Sequence, residues 1–221
     1  MSEIDINTVA KAYARWAPVY DIVWGAVFDA GRKASIAAAE RIGGRILDVG
    51  IGTGISLEDY ARTNRIVGVD YSEPMLRKAH ERVIDLKLTH VDALAVMDAR
   101  HLGFPDGFFD AVVAQYVITA VPDPEATLDE FVRVTRGGGE IILVNHLGAD
   151  AGLMRAVEQG FAPVARRLGW RPEFRWQRLA QWAAGHGGVR LLERKAMPPL
   201  GLFSLIRFER VGKGATNGQG R

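Results

Sequence analysis

The chain has 221 residues, a formal charge of +2 and no cysteine, a size that suits one α/β domain with small additions. Without cysteine there is neither a disulfide framework nor a thiolate metal site, and the balance of 28 basic against 26 acidic residues points to no particular partner. No apolar run approaches the roughly 20 residues of a membrane span, and the opening MSEIDINTVAK has no signal-peptide core, so a cytoplasmic location is expected.

Ile4, Ile6, Val9, Ala12, Tyr13 and Trp16 recur at helical intervals, which predicts an amphipathic helix over 3–17 that ends before Pro18. A second helix is expected from Tyr20 to Ile42, stopping at Gly43-Gly44. RILDVG then reads as a strand, ISLEDYAR as a helix and RIVGVD as a strand. A helix follows from Glu73 to Ile84, with Ser72 as N-cap and Pro74 in the first turn. ALAVMD and FDAVVAQY are further strands. ATLDEFVRVT is a helix with its stop at Gly137-Gly138-Gly139, and EIILVNH is a fifth strand. Apolar strands alternating with helices predict a doubly wound, Rossmann-like parallel sheet. VRLLERKAM and FSLIRFERV form a late pair that predicts an antiparallel finish, and GKGATNGQGR lacks the apolar content to pack.

The stretch ILDVGIGTG carries the chemistry. A buried strand holding Asp48 runs into glycines at 50, 52 and 54, and the next strand ends in Asp70, twenty positions after Gly50. In a doubly wound sheet, ligands bind beyond the carboxyl ends of the strands, and glycine lets them lie against main-chain atoms. An acid at Asp70 can accept hydrogen bonds from ribose hydroxyls. The spacing is G-x-G-x-G, not the G-x-G-x-x-G that aims a helix N-terminus at a pyrophosphate. A ligand without phosphate and with a cationic centre fits better. Asp48 can favour the ammonium side of such a ligand, and Asp98-Ala99 closes the third strand where a carboxylate can meet an adenine amino group.

The set LDVGIGTG, VGVDYSEPML, MDARHLGFPDGFFDAVV and RGGGEIILV, within residues 45–145, resembles the class I S-adenosylmethionine-dependent methyltransferases. That resemblance implies a seven-stranded sheet with its last strand antiparallel, and S-adenosylmethionine as cofactor, released as S-adenosylhomocysteine. It implies cofactor contacts from Asp48, Gly50, Gly52, Thr53, Gly54, Asp70, Tyr71, Met75, Asp98 and Ala99, with Gln115 beneath the methionine moiety.

The ends of the chain bear on the substrate. The Tyr20-Asp21 pair in YARWAPVYDIVWG is similar to that of lipid- and quinone-modifying methyltransferases, where the segment covers the cofactor and helps form the substrate pocket. Asn145-His146 ends the fifth strand, where the fold faces the reactive methyl. ARRLGWRPEFRWQR interleaves five arginines with Trp170, Phe174 and Trp176, as a surface resting on anionic lipid does. Nucleic acid ranks lower, because no recognition motif accompanies the basic residues.

The entrance YARWAPVYDIVWGAVFDAGR, DVGIGTG and the VNH strand end are together similar to the soluble bacterial phosphatidylethanolamine N-methyltransferases. That similarity implies a phospholipid substrate and peripheral attachment to the inner face of the cell membrane. It implies Tyr20 and His146 as catalytic candidates, Tyr20 also bordering the cofactor. Tyr13, Tyr116, Asn145, His146 and Arg207 are substrate candidates, Arg207 for the lipid phosphate. Residues 1–42 would cover the active site and reach the membrane, 43–211 would form the methyltransferase core, and 212–221 would be a disordered tail. No metal is required. A soluble small molecule or a quinone precursor is the alternative substrate, and a non-catalytic cofactor-binding module the alternative class.

Overall fold

The computed structural model describes residues 28–147, 174–198, 201 and 203–212. Helix α1 covers 28–40. Strand β1 (Arg45–Val49) leads through the glycine turn to a 3-10 helix (Ile55–Asp59), then to β2 (Arg65–Asp70), α2 (Glu73–Asp85) and β3 (Val91–Val96). Strand β4 (Phe109–Gln115), α3 (Pro124–Val134) and β5 (Thr135–His146) follow, then α4 (Trp176–His186), β6 (Val189–Met197) and β7 (Phe203–Arg210).

The seven strands lie in the order β3-β2-β1-β4-β5-β7-β6. Strands β1 to β5 pair in parallel, and β7 runs antiparallel to both β5 and β6. Chain direction across the sheet reverses at β1, which has β2 on one side and β4 on the other. That switch point opens a crevice at the carboxyl ends of β1 and β4.

Alternation along the strands builds two cores. Leu47, Val49, Val112, Ala114, Leu143, Ile206 and Phe208 meet α3 and α4 on one face. Ile46, Ala111, Val113, Ile142, Val144 and Leu205 meet α1, the 3-10 turn and α2 on the other. Ile36, Ala38 and Ala39 of α1 are fully inside this second core, so 28–40 packs as part of the sheet's own cover.

Two local expectations are corrected and a third is refined. The segment after the glycines is a five-residue 3-10 turn, not the longer helix ISLEDYAR, because Ser56 and Tyr60 are both drawn inward to Asp48. Gly137–Gly139 do not end α3. The helix stops at Val134, where the Thr135 hydroxyl donates to the Phe131 carbonyl at 2.7 Å, and the glycines lie within β5. Gly139 is needed there because a Cβ would stand 2.5 Å from the Asp110 carbonyl oxygen. Ser72 takes the N-cap position of α2, but its hydroxyl makes no capping bond.

Among the described residues no helix is long and apolar enough to cross a membrane, and no group of acidic or histidine side chains is placed to hold a metal. The basic and aromatic stretch over 165–178 lies partly outside the described residues. The part that is described serves the fold. Phe174 is buried in the core, Arg178 pairs with Glu125, and Trp176 lies under the Arg194 guanidinium at 4.7 Å.

Candidate active site

Beyond β1 the chain reverses through three glycines in the left-handed region, with φ of 71° at Gly50, 56° at Gly52 and 78° at Gly54. Two of them have no room for a side chain. A Cβ on Gly50 would collide with Val117 Cγ2, and one on Gly54 would stand 2.9 Å from Ala79 Cβ. Gly52 differs, since a Cβ there would meet nothing within 4 Å. Its bare main chain borders open space, which is what a ligand lying along the backbone needs.

Two carboxylates flank this turn. The Gly52 amide donates to Asp70 Oδ2 and the Ser72 amide to Asp70 Oδ1, each at 2.8 Å. Burial raises the Asp70 pKa against these two donors. With each oxygen fixed by one amide, lone pairs remain for a pair of vicinal hydroxyls. Asp48 lies beneath the turn, 1% exposed, and its Oδ2 accepts from Ser56 Oγ at 2.8 Å and Tyr60 OH at 3.1 Å. Burial pushes this carboxyl up to about 7; the two hydroxyls oppose the rise and Asp70 adds to it. Asp48 therefore clasps the 3-10 turn under the glycines, a role the strand pattern did not announce.

The Met97 amide donates to the Asp70 carbonyl at 3.0 Å and brings the end of β3 alongside. Asp98 and Ala99 follow directly. The Asp98 carboxylate is turned onto the Arg100 guanidinium and amide, which hold it below the usual carboxylate range. Tyr71 is 46% exposed at the end of β2, whereas Met75 is buried at the start of α2.

At the ends of β4 and β5 the structure separates residues that are adjacent in sequence. Gln115 Nε2 donates to Ser35 Oγ on α1 at 3.0 Å. Tyr116 then adopts φ 64°, unusual for a side chain of its size, and its hydroxyl donates to the Phe28 carbonyl at 3.0 Å. Its ring lies 4.3 Å from that of Phe28 and 5.4 Å from that of Phe203. The His146 ring meets Phe203 edge-on at 6.2 Å. Asn145 faces the other way, as strand alternation requires, and its Nδ2 donates to Thr119 Oγ1 at 3.2 Å.

Sequence reasoning missed Phe28, Ser35, Thr119 and Phe203 as members of this group. The signal for Phe203 was present in the antiparallel register, which sets it opposite His146. Arg207 is corrected. Its guanidinium is held by Glu140 at 2.8 Å and Glu193 at 3.0 Å, four residues along β7 from Phe203, so its charge is already balanced away from the strand ends. Tyr116 has a further role beside the strand ends, because its ring and hydroxyl seat α1. Tyr13 and Tyr20 lie outside the described residues.

The open face of Gly52 beside the fixed Asp70 carboxylate fits an adenosyl ligand without phosphate. Residues 47–143 match the family model described as a methyltransferase domain. The chain is 39% identical over 207 residues to a phosphatidylethanolamine N-methyltransferase of Cereibacter sphaeroides, covering 94% of this chain and all of that protein. It is 35% identical over 144 residues to a demethylmenaquinone methyltransferase of Thermus thermophilus, covering 60% of this chain and 63% of the relative. In fold it is similar to an S-adenosylmethionine-dependent methyltransferase of Aquifex aeolicus (TM-score 0.65, 16% identity, 94% of this chain and all of that one). It is also similar to the [4+2]-cyclase SpnF (TM-score 0.73, 19% identity, 92% and 95%). The chain belongs to the class I S-adenosylmethionine-dependent methyltransferases.

Proposed function

We propose that this methyltransferase acts on the amine of phosphatidylethanolamine and carries it, through mono- and dimethyl forms, towards phosphatidylcholine at a membrane surface. The supporting observation is the reach of the match to the Cereibacter sphaeroides lipid enzyme. It takes in 94% of the chain at 39% identity, whereas quinone enzymes match 56–84% of the chain at 28–35% identity. The aromatic group of Phe28, Tyr116 and Phe203 beside His146 agrees with this reading.

In this reading Gly50, Gly52, Thr53, Gly54 and Asp70 hold S-adenosylmethionine, with Tyr71, Met75, Asp98, Ala99 and Gln115 around it. When bound, the cofactor supplies a methyl group already activated on a cationic sulfonium. The residues of the chain then have three tasks: to align the amine, exclude water and remove a proton. An alkyl ammonium with a pKa near 10 is mostly charged at neutral pH, so it must be deprotonated before it can attack. His146, at the end of β5, accepts that proton on its imidazole. The aromatic rings lower the local polarity, which favours the neutral amine. As methyl groups accumulate, the head group becomes a soft cation that aromatic faces stabilise by roughly 0.5–2 kcal/mol. The same reading assigns Tyr13 and Tyr20 to the head group and the helix expected over 3–17 to the membrane surface.

The test is a vesicle assay with purified protein and labelled cofactor, read by product mass. Methyl incorporation into phosphatidylethanolamine vesicles supports the lipid assignment. Incorporation only into demethylmenaquinol or another small acceptor sinks it, and cofactor binding without S-adenosylhomocysteine formation on any acceptor removes catalysis itself.

A further inference from the structure

The buried Asp48 carboxyl is held by hydroxyls alone, Ser56 at 2.8 Å and Tyr60 at 3.1 Å, and no cation among the described residues balances it. Its neighbours were searched element by element. The charge that acts on it is a second carboxylate, Asp70 at the end of β2. Its register partners on β2 and β4 are Gly68 and Val113. On α1, Glu40 acts on Tyr60, and Arg32, which reaches the same 3-10 turn, pairs with Asp29 and Asp59. A buried carboxylate in such surroundings either keeps a proton or takes its countercharge from a ligand.

The fold indicates which ligand. Asp48 precedes the glycine turn by two residues, and the Gly52 amide is bonded to Asp70. The two coupled carboxylates therefore flank the open main chain of Gly52. Strand alternation sets Asp48 on the sheet face of Val113, Ile142 and Val144, which leads to Gln115 and His146 at the strand ends. Contact with the ligand is not required, because a buried charge acts over several ångströms.

We propose that Asp48 distinguishes cofactor from spent product by charge: it is ionised beside the cationic S-adenosylmethionine and protonated beside the neutral S-adenosylhomocysteine. This rests on the assignment of the glycine turn to the cofactor and not on the identity of the methyl acceptor. S-adenosylmethionine carries an ammonium, a carboxylate and a sulfonium, so one positive charge is left over. Methyl transfer turns the sulfonium into a neutral thioether, and that charge is gone. With the Asp48 carboxyl pushed up to about 7 by burial, a change of one nearby charge moves its proton at neutral pH. The proton leaves to water when the cofactor binds and returns from water once the product has formed. Ser56 and Tyr60 donate to the ionised form, so no rearrangement is needed. Affinity for S-adenosylmethionine relative to S-adenosylhomocysteine then rises with pH through about 7 and levels off above it.

The experiment is calorimetric titration of wild type and Asp48→Asn with each ligand, the asparagine standing for the protonated acid. At about pH 8 the substitution weakens S-adenosylmethionine by about tenfold and S-adenosylhomocysteine by no more than about twofold. At about pH 5.5, where the wild-type acid already holds its proton, both ligands stay within about twofold. Wild type alone is also titrated at about pH 6.5 in two buffers of different ionisation enthalpy. There S-adenosylmethionine displaces about half a proton more than S-adenosylhomocysteine does, a readout that stands even if the variant folds poorly. If Asp48 only clasps the turn, both ligands respond alike. Equal losses for the two ligands, or equal proton release, overturn the inference alone. If neither ligand binds the wild type, the cofactor assignment falls and takes this inference with it.

Discussion

Tyr116 and Phe28, 88 residues apart in the chain, are joined by a hydrogen bond from the Tyr116 hydroxyl to the Phe28 carbonyl. The contact seats α1 at Phe28 on the end of β4. It also explains Gly31, where a Cβ would stand 2.5 Å from that hydroxyl and 2.7 Å from Val144 Cγ1. Removing the hydroxyl with Tyr116→Phe costs about 0.5–1.5 kcal/mol. Gly31→Ala overpacks the seat and costs about 1–3 kcal/mol. Thermal denaturation should rank Gly31→Ala below Tyr116→Phe and both below wild type.

Gly50 and Gly52 look alike in sequence but should respond differently to alanine. Gly50→Ala drives a methyl into Val117 and lowers the melting temperature sharply. Gly52→Ala carries only the left-handed penalty of about 1–2 kcal/mol, because its Cβ meets no protein atom. The new methyl enters the space assigned to the cofactor, so S-adenosylhomocysteine affinity measured by calorimetry falls by about tenfold or more, a loss of about 1.4 kcal/mol. A Gly52→Ala protein with undiminished affinity would place the ligand elsewhere.

The buried Asp48 makes stability depend on pH in an unusual direction. Its folded pKa of about 7 lies above the ordinary carboxylate value of 3.8, so the folded state binds the proton more tightly than the unfolded chain does. The resulting stabilisation is fully present below about pH 4 and is lost as pH rises through 7. Relative to Asp48→Asn, which cannot ionise, the wild type should lose a few kcal/mol of unfolding free energy across that window. Denaturant titrations at intervals from pH 4 to pH 8 check this; a constant difference between the two proteins would refute it.

Glu140, 12% exposed, carries a bidentate partner in Arg207. Glu140→Gln leaves a half-buried guanidinium with only Glu193 and should destabilise by about 1–3 kcal/mol. If Arg207 serves the sheet and not the lipid phosphate, Arg207→Met leaves KM for phospholipid vesicles within about twofold at a temperature where the variant is folded, a bound of about 0.4 kcal/mol.

What could be read from the sequence was what depends on neighbours in the chain. The buried run ending at Val49, the alternate glycines, Asp70 at the end of β2 and the two late strands are local patterns, and all fall where expected. The misreadings share a different cause. Gly137–Gly139 looked like a helix stop, yet Gly139 is set by the backbone of Asp110 on a neighbouring strand. Arg207 looked like a free cation, yet its partners come from β5 and β6. Asn145 and His146 were taken as one feature, and the pleat sends them to opposite faces. Asp48 was expected at the cofactor, and the folded turn adds a structural role that the sequence did not announce, since Ser56 and Tyr60 reach the same oxygen. The cofactor half was therefore the more readable, because its geometry is written in one turn and two strand ends.

Strand β7 comes last in sequence among the strands but occupies an inner position in the sheet, between β5 and β6. While the chain emerges from the ribosome, the β5 edge at Ile141–Val144 has no neighbour on that side until Phe203–Arg210 has been made. An open apolar edge of this kind is prone to aggregation and proteolysis. A nascent chain cut short at residue 200 can assemble the glycine turn and its acids but cannot close the sheet beside them. A chain truncated at residue 200 should therefore aggregate or be proteolysed more readily than the full chain.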